Sequence, residues 1–171
     1  MKPKKPKLLL VDDDRSVRDS MTRLLRMEHY EVLPARDGVE AIERFRSHTI
    51  DLVVLDLNLG SESGWQVFQR MTELNPYVPT IIVTAEFEQR EEAMAAGVEA
   101  LIEKPIEVGA FLELIRELLA ETSAQRLNRV CGDRQYCRYV PRGGKFMELL
   151  EQRRSEPLKF SADLESALHL S

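Results

Sequence analysis

The chain has 171 residues, 43% of them hydrophobic and 31% charged, with a formal net charge of −5 and only two cysteines. That length and balance suit one globular domain with an appendage and exclude fibrous, collagen-like and disordered classes. No apolar run approaches the ~20 residues that cross a bilayer, and Cys131 and Cys137 alone argue against a disulfide framework, so a reducing, cytoplasmic setting is expected.

Residues 1–6 form a basic stub. Lys7-Leu8-Leu9-Leu10-Val11 is too short for a signal-peptide core and reads as a first buried strand that exits into Asp12-Asp13-Asp14. Val17, Met21, Leu24 and Leu25 then share one helical face, with Asp14 or Ser16 as the cap. Tyr30-Glu31-Val32-Leu33-Pro34 is a second strand, placed near an edge by its proline. After Asp37-Gly38 a second helix carries Val39, Ile42 and Phe45. From Ile50 to Asp56 five of seven positions are apolar, the mark of a strand buried on both faces, and it ends on Asp56.

The loop from Gly60 to Gly64 leads to a helix with Trp65, Val67, Phe68 and Met71, which stops at Asn75-Pro76. Pro79-Thr80-Ile81-Ile82-Val83-Thr84 is a fourth buried strand, ending on a hydroxyl. An Ala/Glu-rich helix from Glu88 to Ala96 is stopped by Gly97. Ala100-Leu101-Ile102-Glu103 runs into Lys104-Pro105, and a last helix carries Phe111, Leu112, Ile115, Leu118 and Leu119. Five such βα units imply an α/β fold: a doubly wound, five-stranded parallel sheet with helices on both faces. The carboxyl ends of its strands would share one rim, where ligands bind in such sheets. On that rim fall Asp12, Asp13, Asp56, Thr84 and Lys104.

Three carboxylates on one rim repel one another, and a divalent cation is the usual remedy. All-oxygen donors favour Mg2+ or Mn2+ over zinc. A lysine and a hydroxyl beside them complete what phosphoryl transfer needs, with Asp56 as the nucleophile.

On these residues, 7–120 resembles the receiver domain of two-component response regulators, chemotaxis-receiver-like proteins with a flavodoxin-like fold. The resemblance implies a phospho-acceptor at Asp56, metal ligation by Asp13 directly, by Asp12 mostly through water, by Asp56 and by the Asn58 carbonyl. It also implies a switch hydroxyl at Thr84 and a phosphate-binding Lys104 before a cis peptide bond. Two departures stand out. Gly60 replaces a proline common in relatives, which suggests a looser loop. Leu101 replaces an aromatic residue that swings inward on phosphorylation, so any signal would pass through Thr84 and the loop after it. Asn58 and Glu86 stand where the family tunes phosphoryl lifetime, and their polarity suits a short-lived group.

Trp65, Phe68 and Phe111 are read as packing residues, and His29, His48 and His169 as surface ones. Glu88, Glu91 and Glu92 form a wet helix face on the family's usual partner surface. Residues 121–171 are read as a short extension, mostly helical or irregular. Arg126, Arg129, Arg134, Arg138, Arg142 and Lys145 face only Asp133 there, which fits a solvated linker first. Docking to an acidic partner, to the receiver's own acidic surface or to nucleic acid competes with it. Gly143-Gly144 marks a turn; amphipathic helices are expected from Phe146 to Leu150 and around Phe160, Leu164 and Leu168.

The leading expectation is a response regulator that takes a phosphoryl group from a histidine kinase and switches protein–protein contacts. It would not be an enzyme beyond assisting its own phosphorylation and dephosphorylation, and phosphorylation could pair two chains. One alternative is a transcription regulator whose basic tail binds DNA. The other is a relay that passes the group to a histidine phosphotransfer protein.

Overall fold

A computed structural model describes residues 5–60, 62–86, 89–131 and 137–142. The expected turn at Gly143-Gly144, the later helices, Glu88, Arg134, Lys145 and His169 lie outside those residues. Within them the chain runs β1 (Lys7–Val11), α1 (Arg15–Met27), β2 (Glu31–Ala35), α2 (Gly38–Ser47), β3 (Leu52–Asp56) and α3 (Gly64–Leu74). It continues through β4 (Thr80–Thr84), α4 (Arg90–Ala96), β5 (Ala100–Glu103), α5 (Val108–Leu119), α6 (Ser123–Cys131) and β6 (Arg138–Val140). Every pairing is parallel, in the order β2-β1-β3-β4-β5-β6. No described helix is long and apolar enough to cross a membrane.

The sheet therefore has six strands where five were expected. The sixth comes from the extension: three residues, Arg138 to Val140, lie beside Ala100, Leu101 and Ile102. Too short and too polar to announce itself, β6 is held by partners distant in sequence. Residues 123–131 are thus helix and residues 138–140 strand, where a solvated linker is the first reading of the sequence.

Side chains alternate across each strand, so one strand feeds two cores. Leu8, Leu10, Val54, Ile81 and Ile102 face Leu25 of α1 and Phe111, Ile115 and Leu118 of α5. Leu9, Val11, Val53, Leu55, Ile82 and Leu101 face Ile42 and Phe45 of α2, Phe68 and Met71 of α3, and Ala93 of α4. Covered on both sides, β3 and β4 are buried along their whole length, as their unbroken apolar runs require. Trp65 and Phe68 pack edge to face with centroids 6.3 Å apart, and the Trp65 indole donates to Gln89 Oε1 at 3.0 Å, tying α3 to the segment before α4. His29 and His48 are exposed; His29, at φ 67°, turns the chain out of α1.

Caps fix where the helices begin. Asp14 accepts the Ser16 and Val17 N–H groups at 2.7 and 3.1 Å, and these bonds hold its carboxyl below its ordinary pKa. Asp37, Ser63 and Glu107 do the same for α2, α3 and α5. Gly64 is required by close approach. Its N–H donates to the Leu57 carbonyl at 2.8 Å, and a Cβ there would sit 2.6 Å from the Leu57 Cα and against the Asp56 carbonyl. Both obstacles are backbone, so Gly64→Ala is expected to cost about 1–3 kcal/mol. A lower urea midpoint at unchanged slope would register this, and an unchanged midpoint would contradict it.

Candidate functional site

Two turns and two strand ends assemble the site. β1 has β2 on one side and β3 on the other, so the crossovers diverge there and leave a crevice at the carboxyl ends of the strands. Asp12 follows β1 directly and Asp56 closes β3, its neighbour. Each is only 5% exposed, whereas Asp13 is open to solvent. One carboxylate oxygen from each of Asp12, Asp13 and Asp56 lies within 4.8 Å of the others.

Each buried carboxylate is oriented by the turn it starts. Asp12 Oδ1 accepts the Asp14 N–H at 2.9 Å, and Asp56 Oδ1 accepts the Asn58 N–H at 3.1 Å. Their other oxygens face Lys104, whose Nζ is 2.5 Å from Asp56 Oδ2 and 3.4 Å from Asp12 Oδ2. Lys104 stands just after β5, its own N–H donated to the Thr84 carbonyl at 2.7 Å. The Lys104–Pro105 peptide is cis, as the resemblance implied.

The electrostatics follow from this burial. Asp12 is pushed above its ordinary pKa, first by desolvation and then by Asp56, with Lys104 only partly offsetting them. Burial works against the Lys104 ammonium too, yet its bonds to Asp56 and Asp12 outweigh that and raise its pKa. A single ammonium among three carboxylates leaves negative charge uncompensated. All the donors are oxygens and one of them opens to solvent, so a hard divalent cation such as Mg2+ fits this set.

The raised pKa has a sign in stability. The folded chain binds the Asp12 proton more tightly than the unfolded chain, so that contribution is fully present below the ordinary value of 3.8. It is lost as pH rises through the folded value, and ionised Asp12 costs stability at neutral pH. Asp12→Asn is therefore expected to raise the metal-free urea midpoint. Mg2+ at 100 times its Kd should stabilise the wild type by about 2.7 kcal/mol and this variant far less. A variant less stable than wild type without metal, or equally stabilised by Mg2+, would contradict the assignment.

Thr84 reaches the same rim at the end of β4, buried, with its Oγ1 accepting the Glu86 N–H at 2.9 Å. No direct bond joins its hydroxyl to the carboxylates; it stands one register step beyond Val83, the partner of Asp56. Asn58 is exposed beside Asp56, and its Oδ1 meets the Gly60 N–H at 3.4 Å. Gly60 adopts φ 69°, a left-handed backbone that a proline cannot take. Leu101 is fully buried in the core beneath α4, directly opposite Tyr139 of β6.

Several contributors escape sequence reasoning. Arg18 reaches back from α1, its Nη1 donating to the carbonyls of Asp12 at 2.7 Å and Asp13 at 3.2 Å, and so pins the acidic turn. Arg70 pairs with Glu62 across the loop after Asp56. Buried Glu99 takes the Thr80 N–H at 2.5 Å at the opposite end of β4. Only Arg18 carried a signal: it lies one helical turn beyond the cap Asp14.

Comparison with known proteins gives the same picture. The family described as "Response regulator receiver domain" matches residues 8–116. Among curated relatives, Response regulator MprA of Mycobacterium sp. (strain KMS) is 34% identical over 119 residues, 68% of this chain and 52% of that protein. MprA of Mycobacterium ulcerans (strain Agy99) is 33% identical over 121 residues, covering 70% and 52%. The chain thus spans about half the length of the curated relatives it matches. Among solved structures, a CheY-like receiver domain protein from Methanospirillum hungatei JF-1 superposes with a TM-score of 0.64 at 30% identity, over 68% of this chain and 94% of that one. Response regulator TrrA from Thermotoga maritima, in complex with Mg2+ and BeF, gives 0.62 at 27% identity over 66% and 98%. Fold, acidic crevice, lysine and family match agree: the chain belongs to the response regulator receiver domain family.

Proposed function

We propose that Asp56 accepts a phosphoryl group from a histidine kinase and that the receiver then alters its protein contacts, as the signalling switch of a two-component system. The observation that carries this is the Asp56 carboxylate, held at the sheet's switch point between a 2.5 Å lysine contact and two further carboxylates. Asp12, Asp13, Asp56 and the Asn58 carbonyl would hold Mg2+, which when bound supplies positive charge for the phosphoryl oxygens. The chain's own groups do the rest. The Asn58 N–H fixes one Asp56 oxygen, leaving the carboxylate aligned for in-line attack on phosphorus. The Lys104 ammonium moves from carboxylate to phosphoryl oxygen as that charge develops, and the Thr84 hydroxyl donates to another of those oxygens.

A DNA-binding tail gains no support from Arg138 and Arg142. Arg138 pairs with Glu117 and Glu121 on and after α5, and Arg142 lies against Glu103. Glu117 and Glu103 are the receiver's own acidic groups, and Glu121 opens the extension. Cytoplasmic location and phosphorylation-linked pairing of two chains belong to the same proposal.

Intact-mass measurement after acetyl phosphate tests the reading. One phosphoryl group should be gained with Mg2+ and none with EDTA. No gain from acetyl phosphate or phosphoramidate, together with no response to beryllofluoride, would overturn it.

A further inference from the structure

The extension reaches the site's lysine from outside the region that the family match covers. Val140 is 2% exposed and packs with Ile102 on the α5 side, while Tyr139 and Cys137 pack on the α4 side, so β6 is seated in both cores. From that seat it grips two consecutive residues. The Tyr139 hydroxyl donates to Glu103 Oε1 at 2.6 Å, and the Arg142 N–H donates to Glu103 Oε2 at 3.0 Å. Arg142 Nε donates to the Lys104 carbonyl at 2.8 Å. The Lys104 main chain is thus clamped at its N–H by β4 and at its carbonyl by the extension, while its side chain enters the acidic crevice. Further contacts brace the grip. The Arg90 guanidinium of α4 lies 5.3 Å over the Tyr139 ring, and Arg138 meets Glu117 and Glu121, each at 3.4 Å.

From this geometry we infer that residues 138–142 are a clasp that positions Lys104, with Arg142 and Tyr139 as positioning residues for phosphoryl transfer to Asp56. The inference rests on Asp56 being the acceptor. A side chain with four rotatable bonds aims well only if its backbone is fixed, and misplacement by an ångström costs up to about 10²-fold in rate. The clasp also explains why both Glu103 oxygens are spent on the extension.

The test is the rate of phosphoryl uptake from acetyl phosphate with saturating Mg2+, followed by intact mass on the full chain. Arg142→Ala, at an exposed residue, and Tyr139→Phe, which keeps the half-buried ring, should each slow uptake several-fold to about tenfold, with little change in the donor concentration for half-maximal rate. Arg142→Gln, which retains a donor without the charge, should recover part of the loss. The same Arg142→Ala change made on Lys104→Ala should have no further effect, because the clasp acts only through that lysine. Equal slowing in both backgrounds, or wild-type rates in both single variants, overturns the clasp while leaving Asp56 as acceptor. No uptake by the wild type overturns the acceptor assignment and the clasp with it.

Discussion

Asp56→Asn is expected to abolish phosphoryl uptake while the fold persists. The amide matches the carboxylate in shape, so β3 and the Asn58 turn are retained, and Lys104 keeps its contact with Asp12 at 3.4 Å. What disappears is the anionic oxygen now 2.5 Å from Lys104. A neutral amide oxygen is a poor nucleophile, and loss of the nucleophile removes most of the catalytic effect, so uptake should fall by more than about 10³-fold. Removing one of two buried like charges also relieves repulsion, so the urea midpoint should hold or rise. A variant that takes up one phosphoryl group at the wild-type rate would place the acceptor elsewhere.

Lys104→Ala should separate two roles of the ammonium. Its contacts with Asp56 and Asp12 place it where charge develops on the transferred group, and removing one such preorganised donor costs about 10²–10³-fold in rate. Mg2+ binding should move the other way. The ammonium now competes with any cation for the same carboxylates, so its removal should tighten Mg2+ affinity as read by Trp65 fluorescence or titration calorimetry. Slower uptake with weaker Mg2+ binding would mean that Lys104 builds the metal site instead of opposing it. Unchanged uptake would remove it from the chemistry.

The legible parts of this protein are those written in local pattern. Buried strands appear as unbroken apolar runs such as Leu52 to Leu55, and their ends carry Asp12, Asp56, Thr84 and Lys104. Because parallel strands share a direction, ends that are far apart in sequence meet on one rim, and Asp12, Asp13, Asp56 and Lys104 do meet there. Thr84 arrives on the rim with its hydroxyl oxygen accepting the Glu86 N–H, a local turn contact that spacing does not reveal. Gly60, expected in a looser loop, takes a left-handed backbone that spacing does not reveal.

What stayed hidden depends on side chains meeting across the fold. Nothing in Arg138-Tyr139-Val140 resembles a strand, since three residues cannot display a period. The strand exists because Val140 finds the α5 core while Tyr139 and Arg142 find Glu103. The basic charge of the extension allows docking to the receiver's own acidic surface among other readings, and Arg138 does meet Glu117 and Arg142 does meet Glu103. Leu101 lies opposite the Tyr139 supplied by β6, a juxtaposition visible only after the sixth strand is placed.

The most direct test of the central claim is chemical trapping of the acceptor. An aspartyl phosphate is an acyl phosphate, which borohydride reduces to the alcohol, so the modified aspartate becomes homoserine. The wild type should be treated with acetyl phosphate and Mg2+, reduced, digested and read by peptide mass spectrometry. Homoserine at position 56, absent when Mg2+ is withheld, is the expected result. Homoserine at Asp12 or Asp13 with Asp56 untouched, or no reduced residue in protein whose intact mass has risen, would contradict the account.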